Sequence, residues 1–378
     1  MRKIIYFYLC KARYYSSHPI INNFKILFDY YEKFKTYKIE PIPFTSFIKS
    51  AKFDDYLSNE ANLQLVNAKN SHNFPLQWEL GYDKAILLLE EGFKELIIDM
   101  TRNKSAYKKA IIFVFHPVCF SLLYKVRKEF EPLKKELGLK YILWQDDLHA
   151  YFKEGKRGEI LEGLDKILSP SPIFFKNVNS KLIDKTKFFF YSMDFNLLPD
   201  KKWEDREKKI LLSGSCNRGY YMRHQILINI KKETEMSKIC SYLKRPRFKE
   251  YNRPVGTYLP VGLNYYDKLV EYQGAFFAYY EAPKNFNLAK IIEILACGCL
   301  GFFEKSVLLE EELGLKEFEH YVPITDEKGN LIEDLKYYEK WLFGKEGKKI
   351  AEDGKQFVKK NFSNENGFFN YVKILKKL

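Results

Sequence analysis

Lys290 and Glu293, three positions apart, together with the polar loop before them, are the residues of this sequence best suited to chemistry on a charged ligand. They belong to YYEAPKNFNLAKIIEILACGCLGFFE, residues 279–304. An apolar strand runs into a polar loop, a helix begins near Asn285 to Asn287, Gly298 ends it in the C′ position, and a second apolar strand follows. Leu288, Ile291, Ile292 and Leu295 keep the spacing of one buried stripe, with Lys290 and Glu293 together on another face. A lysine in a first turn opposes the helix dipole, which favours acids there. A bound anion removes the conflict, because such a junction offers unpaired N–H groups and a positive dipole end to phosphate. Lys290 then adds a point charge to a diphosphate, and Glu293 accepts from a pair of ribose or sugar hydroxyls. The plain alternative is a solvated Lys–Glu pair of little energetic weight.

A second group stands where the strand Lys209 to Ser213 runs into Gly214-Ser215-Cys216-Asn217-Arg218-Gly219 and a helix carrying Tyr221 and Arg223. Glycine at a strand end admits a ligand to the backbone, and serine with Arg218 and Arg223 can bind phosphate oxygens. The run has neither the spacing of a dinucleotide fingerprint nor the lysine of a P-loop, and strand–glycine–helix junctions occur throughout α/β proteins. A third group follows the strand Lys140 to Trp144, where Gln145-Asp146-Asp147-Leu148-His149 puts two acids and a histidine in one loop; His116 follows the strand Lys109 to Phe115. Asp147 or His149, with His116 behind them, has the chemistry of a general base for a sugar hydroxyl. Capping of the next helix by Asp146 or Asp147 accounts for the same residues without catalysis.

These groups hang on alternating short apolar runs and helices. Such alternation predicts a parallel sheet with crossover helices, and ligands at the carboxyl ends of its strands. In the first half, Lys3 to Leu9 reads as a strand and Asn22 to Lys35 as a helix. The following stretch to about Gln77 reads as irregular, broken by Pro41, Pro43 and Pro75. Tyr82 to Phe93 reads as a helix leading into a short strand, Glu95 to Ile98. The expected division is a first domain over 1–197, a linker over 198–207, a second domain over 208–362 and a last helix over 363–378. That helix would cross back to the first domain on a face made of Phe368, Phe369, Val372 and Leu375.

With 378 residues the chain can build two cores. Its net charge of +14 suits an anionic ligand or peripheral contact with an anionic membrane surface. No run reaches the roughly five or six like charges of an interaction tail, so nucleic acid is not an expected partner. The densest basic patch, Lys244-Arg245-Pro246-Arg247-Phe248-Lys249, reads as a solvated loop. The six cysteines lack metal-ligand spacing and fit a reducing compartment. The N-terminal apolar run is too short for a leader, and no stretch approaches the roughly 18 apolar residues of a membrane span, so the expected location is the cytoplasm.

The run NFNLAKIIEILACGCLGFFE resembles the C-terminal signature of nucleotide-sugar glycosyltransferases of the GT-B fold, and most of all the branch that includes spore-maturation-type enzymes. Asn287, Leu288, Lys290, Glu293, Ala296, Cys297 and Gly298 match that pattern one by one. Many retaining members carry a second glutamate eight residues before this one, where this chain has Asn285. The opening of the second domain, with strand, Gly214, Ser215, Tyr221 and Arg223, is similar to the family's donor-binding domain. The run Trp144 to His149 resembles an acceptor-side loop of the first. The glycine-rich loop that follows the first strand in many members is replaced by Cys10-Lys11-Ala12-Arg13.

The resemblance implies an α/β protein of the GT-B class: two facing Rossmann-like domains with parallel sheets and a central cleft. It implies a nucleoside-diphosphate sugar of the UDP or GDP type as donor substrate, a carbohydrate or glycoconjugate as acceptor, and neither cofactor nor metal. Gly214, Ser215, Arg218, Arg223 and Lys290 would hold the diphosphate; Asn285, Asn287 and Glu293 the ribose and sugar; Asp147, His149 or His116 would serve as base. A catalytically inactive nucleotide-sugar-binding module and a basic nucleic-acid-binding α/β protein are the other classes to weigh.

Overall fold

Parallel strands need covering helices on both faces, so their sequences become almost continuous apolar runs. The chain obeys this twice in its computed structural model, which describes residues 1–7, 23, 26–27, 29–43, 82–115, 127–144, 163–173, 180–232, 235–244, 263–279 and 289–378. It divides into two compact units. One comprises described residues up to Phe189 together with Gly367–Leu378, and the other Phe190–Asn366.

The first unit holds six strands among the described residues: β1 (Arg2–Phe7), β2 (Ile39–Pro43), β3 (Ile111–Phe115), β4 (Lys140–Trp144), β5 (Lys166–Ser169) and β6 (Thr186–Phe188). Their order is β2-β1-β3-β4-β5-β6, and every pairing is parallel. Two expectations are corrected here. The stretch expected to be irregular contains β2, whose Pro41 and Pro43 are tolerated because it is an edge strand. The expected strand Glu95 to Ile98 is the interior of one continuous helix, Tyr82–Arg102. Phe93, Leu96 and Met100 are buried at helical spacing while Ile98 is exposed, a pattern with a period near 3.6 and not 2.

The closing helix Asn364–Lys376 packs within this first unit. The Tyr371 hydroxyl donates to the Asn23 carbonyl at 3.0 Å, and Arg2 donates to the Leu375 carbonyl at 2.9 Å. Its buried face is Phe368, Tyr371, Val372 and Leu375. Phe369, expected on that face, is 42% exposed, since a one-residue step rotates it off the i, i+3, i+4, i+7 stripe.

The second unit holds β7 (Glu207–Gly214), β8 (Cys240–Lys244), β9 (Tyr272–Phe277), β10 (Leu300–Phe303) and β11 (Val322–Pro323). Their order is β11-β10-β9-β7-β8, again all parallel. In both sheets the order turns back after the first strand, which places topological switch points between β1 and β3 and between β7 and β9. In open α/β sheets ligands bind beyond the carboxyl ends of the strands at such points. Chain entry and exit of this unit lie side by side: the Met193 N–H donates to the Phe362 carbonyl at 2.7 Å, and Asn364 N–H to the Met193 carbonyl at 3.2 Å.

Within the stretch expected as linker, Arg206 is buried. It donates to the carbonyls of Lys201 (2.9 and 3.2 Å) and Gly298 (3.1 Å), which pins the turn after helix Lys290–Ala296. Helix Lys345–Phe362 crosses that helix closely at Gly354. A Cβ there would lie 2.7 Å from the His320 carbonyl oxygen and 3.1 Å from Leu295 Cδ2. Gly354→Ala is therefore expected to destabilise the unliganded protein by about 1–3 kcal/mol, read as a lower urea midpoint at unchanged slope. His320 itself is buried and accepts the Lys316 N–H on Nδ1 at 3.0 Å; burial holds its imidazole below the usual 6.5. The folded state thus favours neutral imidazole. The stabilisation is complete above about pH 6.5 and is lost as pH falls from there through the lowered folded value. His320→Asn, which keeps an acceptor but does not titrate, is expected to flatten the fall in stability between about pH 7 and 5 relative to wild type.

Candidate functional site

The carboxyl end of β7 carries Gly214 in a left-handed conformation (φ 95°), which L side chains rarely adopt. Ala278 and Tyr279 follow β9 directly, so this is the switch point of the second sheet. Arg223, two residues into helix Tyr221–Lys231, turns inward there and is only 2% exposed. Its Nη2 donates to the Ala278 carbonyl, and its guanidinium lies 4.3 Å from the Tyr220 ring centroid. Its Nε is buried without a hydrogen-bond partner among the described residues. Burial lowers the guanidinium from its ordinary value, yet arginine remains charged at any working pH.

Lys290 comes to the same point from another element. A Cβ on Gly214 would lie 3.4 Å from Arg223 Nη1 and 3.7 Å from Lys290 Nζ. The Lys290 ammonium donates to Tyr265 Oη at 2.8 Å and to Ser213 Oγ at 3.2 Å, while Ser213 Oγ and Tyr265 Oη are 2.7 Å apart. The Cys216 thiol is half-buried nearby: burial raises its pKa, and the Arg223 and Lys290 charges oppose that shift. The loop is folded by Asn217, whose Oδ1 accepts the Gly219 N–H at 3.1 Å and whose carbonyl accepts the Tyr220 N–H at 2.9 Å.

Of the residues singled out in the sequence, Gly214, Arg223 and Lys290 come together. Ser215 is half-buried in the same loop and Arg218 is exposed. Asn285 and Asn287 on the donor side, and Asp147, His149 and His116 on the acceptor side, lie outside the described residues. The amphipathic reading of the signature helix is corrected. Helix Lys290–Ala296 is buried from Ile291 to Ala296, with Glu293 only 3% exposed; burial first, and then the Glu293 charge, hold the Tyr266 phenol well above its usual range. A helix covered on all sides cannot show an apolar stripe against an open face. Sequence reasoning missed Tyr265 and Arg206. Tyr265 is 25 positions from Lys290 and 52 from Ser213, and no local pattern marks it; Arg206 lies in a stretch whose polarity suggests exposure.

No protein-family model and no curated protein sequence matches the chain. Solved structures share its architecture. An α-glucosyltransferase in complex with UDP and a 13-mer DNA containing an HMU base is 13% identical with a TM-score of 0.54, over 100% of this chain and 99% of that one. The fold is GT-B. A glycosyltransferase from Rickettsia africae ESF-5 is 12% identical with a TM-score of 0.52, covering 100% of this chain and 98% of the other. The N-terminal domain of trehalose-6-phosphate phosphatase from Candida albicans is 11% identical with a TM-score of 0.52, over 100% and 96% of the two chains. At such identities the likeness is one of fold, and a GT-B fold hosts more than one chemistry. Among the described residues no helix is long and apolar enough to cross a membrane, and no three His, Cys, Asp or Glu side chains cluster as metal ligands.

The positive φ makes Gly214 sensitive, while the neighbouring Arg223 and Lys290 atoms stand at ordinary contact distance from an added Cβ. Gly214→Ala is expected to destabilise the unliganded protein by about 1–2 kcal/mol, measured by urea unfolding.

Proposed function

We propose that this chain is a glycosyltransferase that moves a sugar from a nucleoside-diphosphate sugar of the UDP or GDP type to a hydroxyl of a carbohydrate or glycoconjugate. The observation that carries the reading is the meeting of Arg223 and Lys290 at Gly214. Two cations that close repel by roughly 2 kcal/mol at an effective dielectric of about 20, and a diphosphate between them turns that repulsion into attraction. The glycine lets phosphate oxygens reach the backbone, and the buried guanidinium is held by Ala278 without an acid cancelling its charge at that bond.

Sugar transfer breaks the bond between the anomeric carbon and the diphosphate, leaving negative charge on the departing oxygen. Arg223 and Lys290, fixed before the reaction, stabilise that charge with little reorganisation. The reading assigns Ser215 and Arg218 to the outer diphosphate oxygens, Asn285 and Asn287 to the sugar, and Asp147, His149 or His116 to deprotonation of the acceptor hydroxyl; Glu293, buried in the free protein, is given no donor contact. Positive charge from side chains meets the need that a metal meets elsewhere, so donor binding is expected to be insensitive to magnesium.

Calorimetric titration with UDP, GDP, CDP and ADP, with and without magnesium, tests the donor site. One of the uridine or guanosine nucleotides is expected to bind selectively. Lys290→Ala should weaken it roughly 10- to 100-fold, the loss of one charge-assisted phosphate contact. Absence of binding by all four at millimolar concentration would overturn the reading. Binding without hydrolysis or transfer of any matching nucleotide sugar would instead identify an inactive binding module.

A further inference from the structure

We infer that Tyr265, braced by Ser213, is the positioning residue that fixes where the Lys290 ammonium stands; this rests on the donor-site reading above. Lysine carries its charge on a flexible four-carbon stem, and confining it costs rotamer entropy that some set of contacts must offset. Here three contacts converge. The ammonium donates to Tyr265 Oη at 2.8 Å and to Ser213 Oγ at 3.2 Å, and lies 4.2 Å from the centroid of the Tyr265 ring. The two hydroxyls are 2.7 Å apart, so one donates to the other while both accept from the lysine, and the triangle closes.

The frame is anchored on both sides. Ser213 is the buried residue of β7 next to Gly214, so its hydroxyl has a fixed relation to the backbone at the switch point. Tyr265 is buried in helix Leu263–Leu269, and burial holds its phenol well above the usual range, so the oxygen stays a neutral acceptor. That neutrality matters for an anion site. A carboxylate in the same place would orient the ammonium but also cancel its charge, whereas a hydroxyl oxygen orients it without adding a negative charge of its own. The ring adds an attraction of the same kind, since its face draws a cation without neutralising it. Tyr265 is thus assigned no contact with the donor; it acts through Lys290.

The test has two arms, both on the full chain. In the first, trace acetylation of lysines is read by mass spectrometry, with Lys305 and Lys316 as internal references. Tyr265→Phe removes only the hydroxyl and is expected to raise Lys290 labelling roughly three- to tenfold, the equivalent of one hydrogen bond, with the references unchanged. Unchanged Lys290 labelling, or an equal rise at all lysines, would overturn the inference, the latter marking Tyr265 as merely structural. Ser213→Ala is the second variant, expected to act in the same direction should Tyr265→Phe fold poorly.

In the second arm, affinity for UDP and GDP is measured in a double-mutant cycle. Tyr265→Phe should weaken binding by roughly three- to tenfold in the native background and change it little once Lys290→Ala is present. Equal losses in both backgrounds would overturn the inference. Failure of both nucleotides to bind the wild-type chain would count against the donor-site reading alone, and the labelling arm would still decide the role of Tyr265.

Discussion

Arg223 and Lys290 are carried by different helices, yet both reach the glycine that ends β7. Bringing two positive groups to one point opposes folding, so the surrounding structure must hold them there against their repulsion. The means differ for the two. Arg223 is buried and tied through Nη2 to the Ala278 carbonyl just past β9, with the Tyr220 ring against its guanidinium. Lys290 is held by two hydroxyls and a ring face. Each of these contacts orients a cation through a neutral partner.

Much of the second unit can be read as support for this arrangement. Strand order places the carboxyl ends of β7 and β9 side by side where the sheet reverses. Helix Lys290–Ala296 is short, and on its own would be marginal. It is fixed by burial of all its residues after Lys290, by Arg206 at the turn that follows, and by the close crossing that Gly354 allows. Each of these acts at a distance from the charged atoms, but a shift in any of them would move the stem of Lys290.

The fold and the location of the site were legible in the sequence to different degrees. Alternation of apolar runs with helices is enough to imply parallel sheets, because covering both faces leaves no polar positions in the strands. It failed at β2, where prolines are permitted by an edge position that sequence does not reveal, and at Glu95 to Ile98, where four residues taken alone cannot separate a strand from a helix face. Gly214, Arg223 and Lys290 were visible as residue types beside a strand end or a loop. Their meeting was not, since 67 positions separate Arg223 from Lys290.

By itself the sequence determined the class of fold and the strand that ends in the Gly214 loop, because these follow from local periodicity and residue chemistry. Only the tertiary structure decided that Glu293 is buried and that Tyr265 and Ser213 hold the lysine. Burial and partner choice depend on which distant segments pack together, and hydrogen bonds spanning 25 to 77 positions leave no trace in a local pattern.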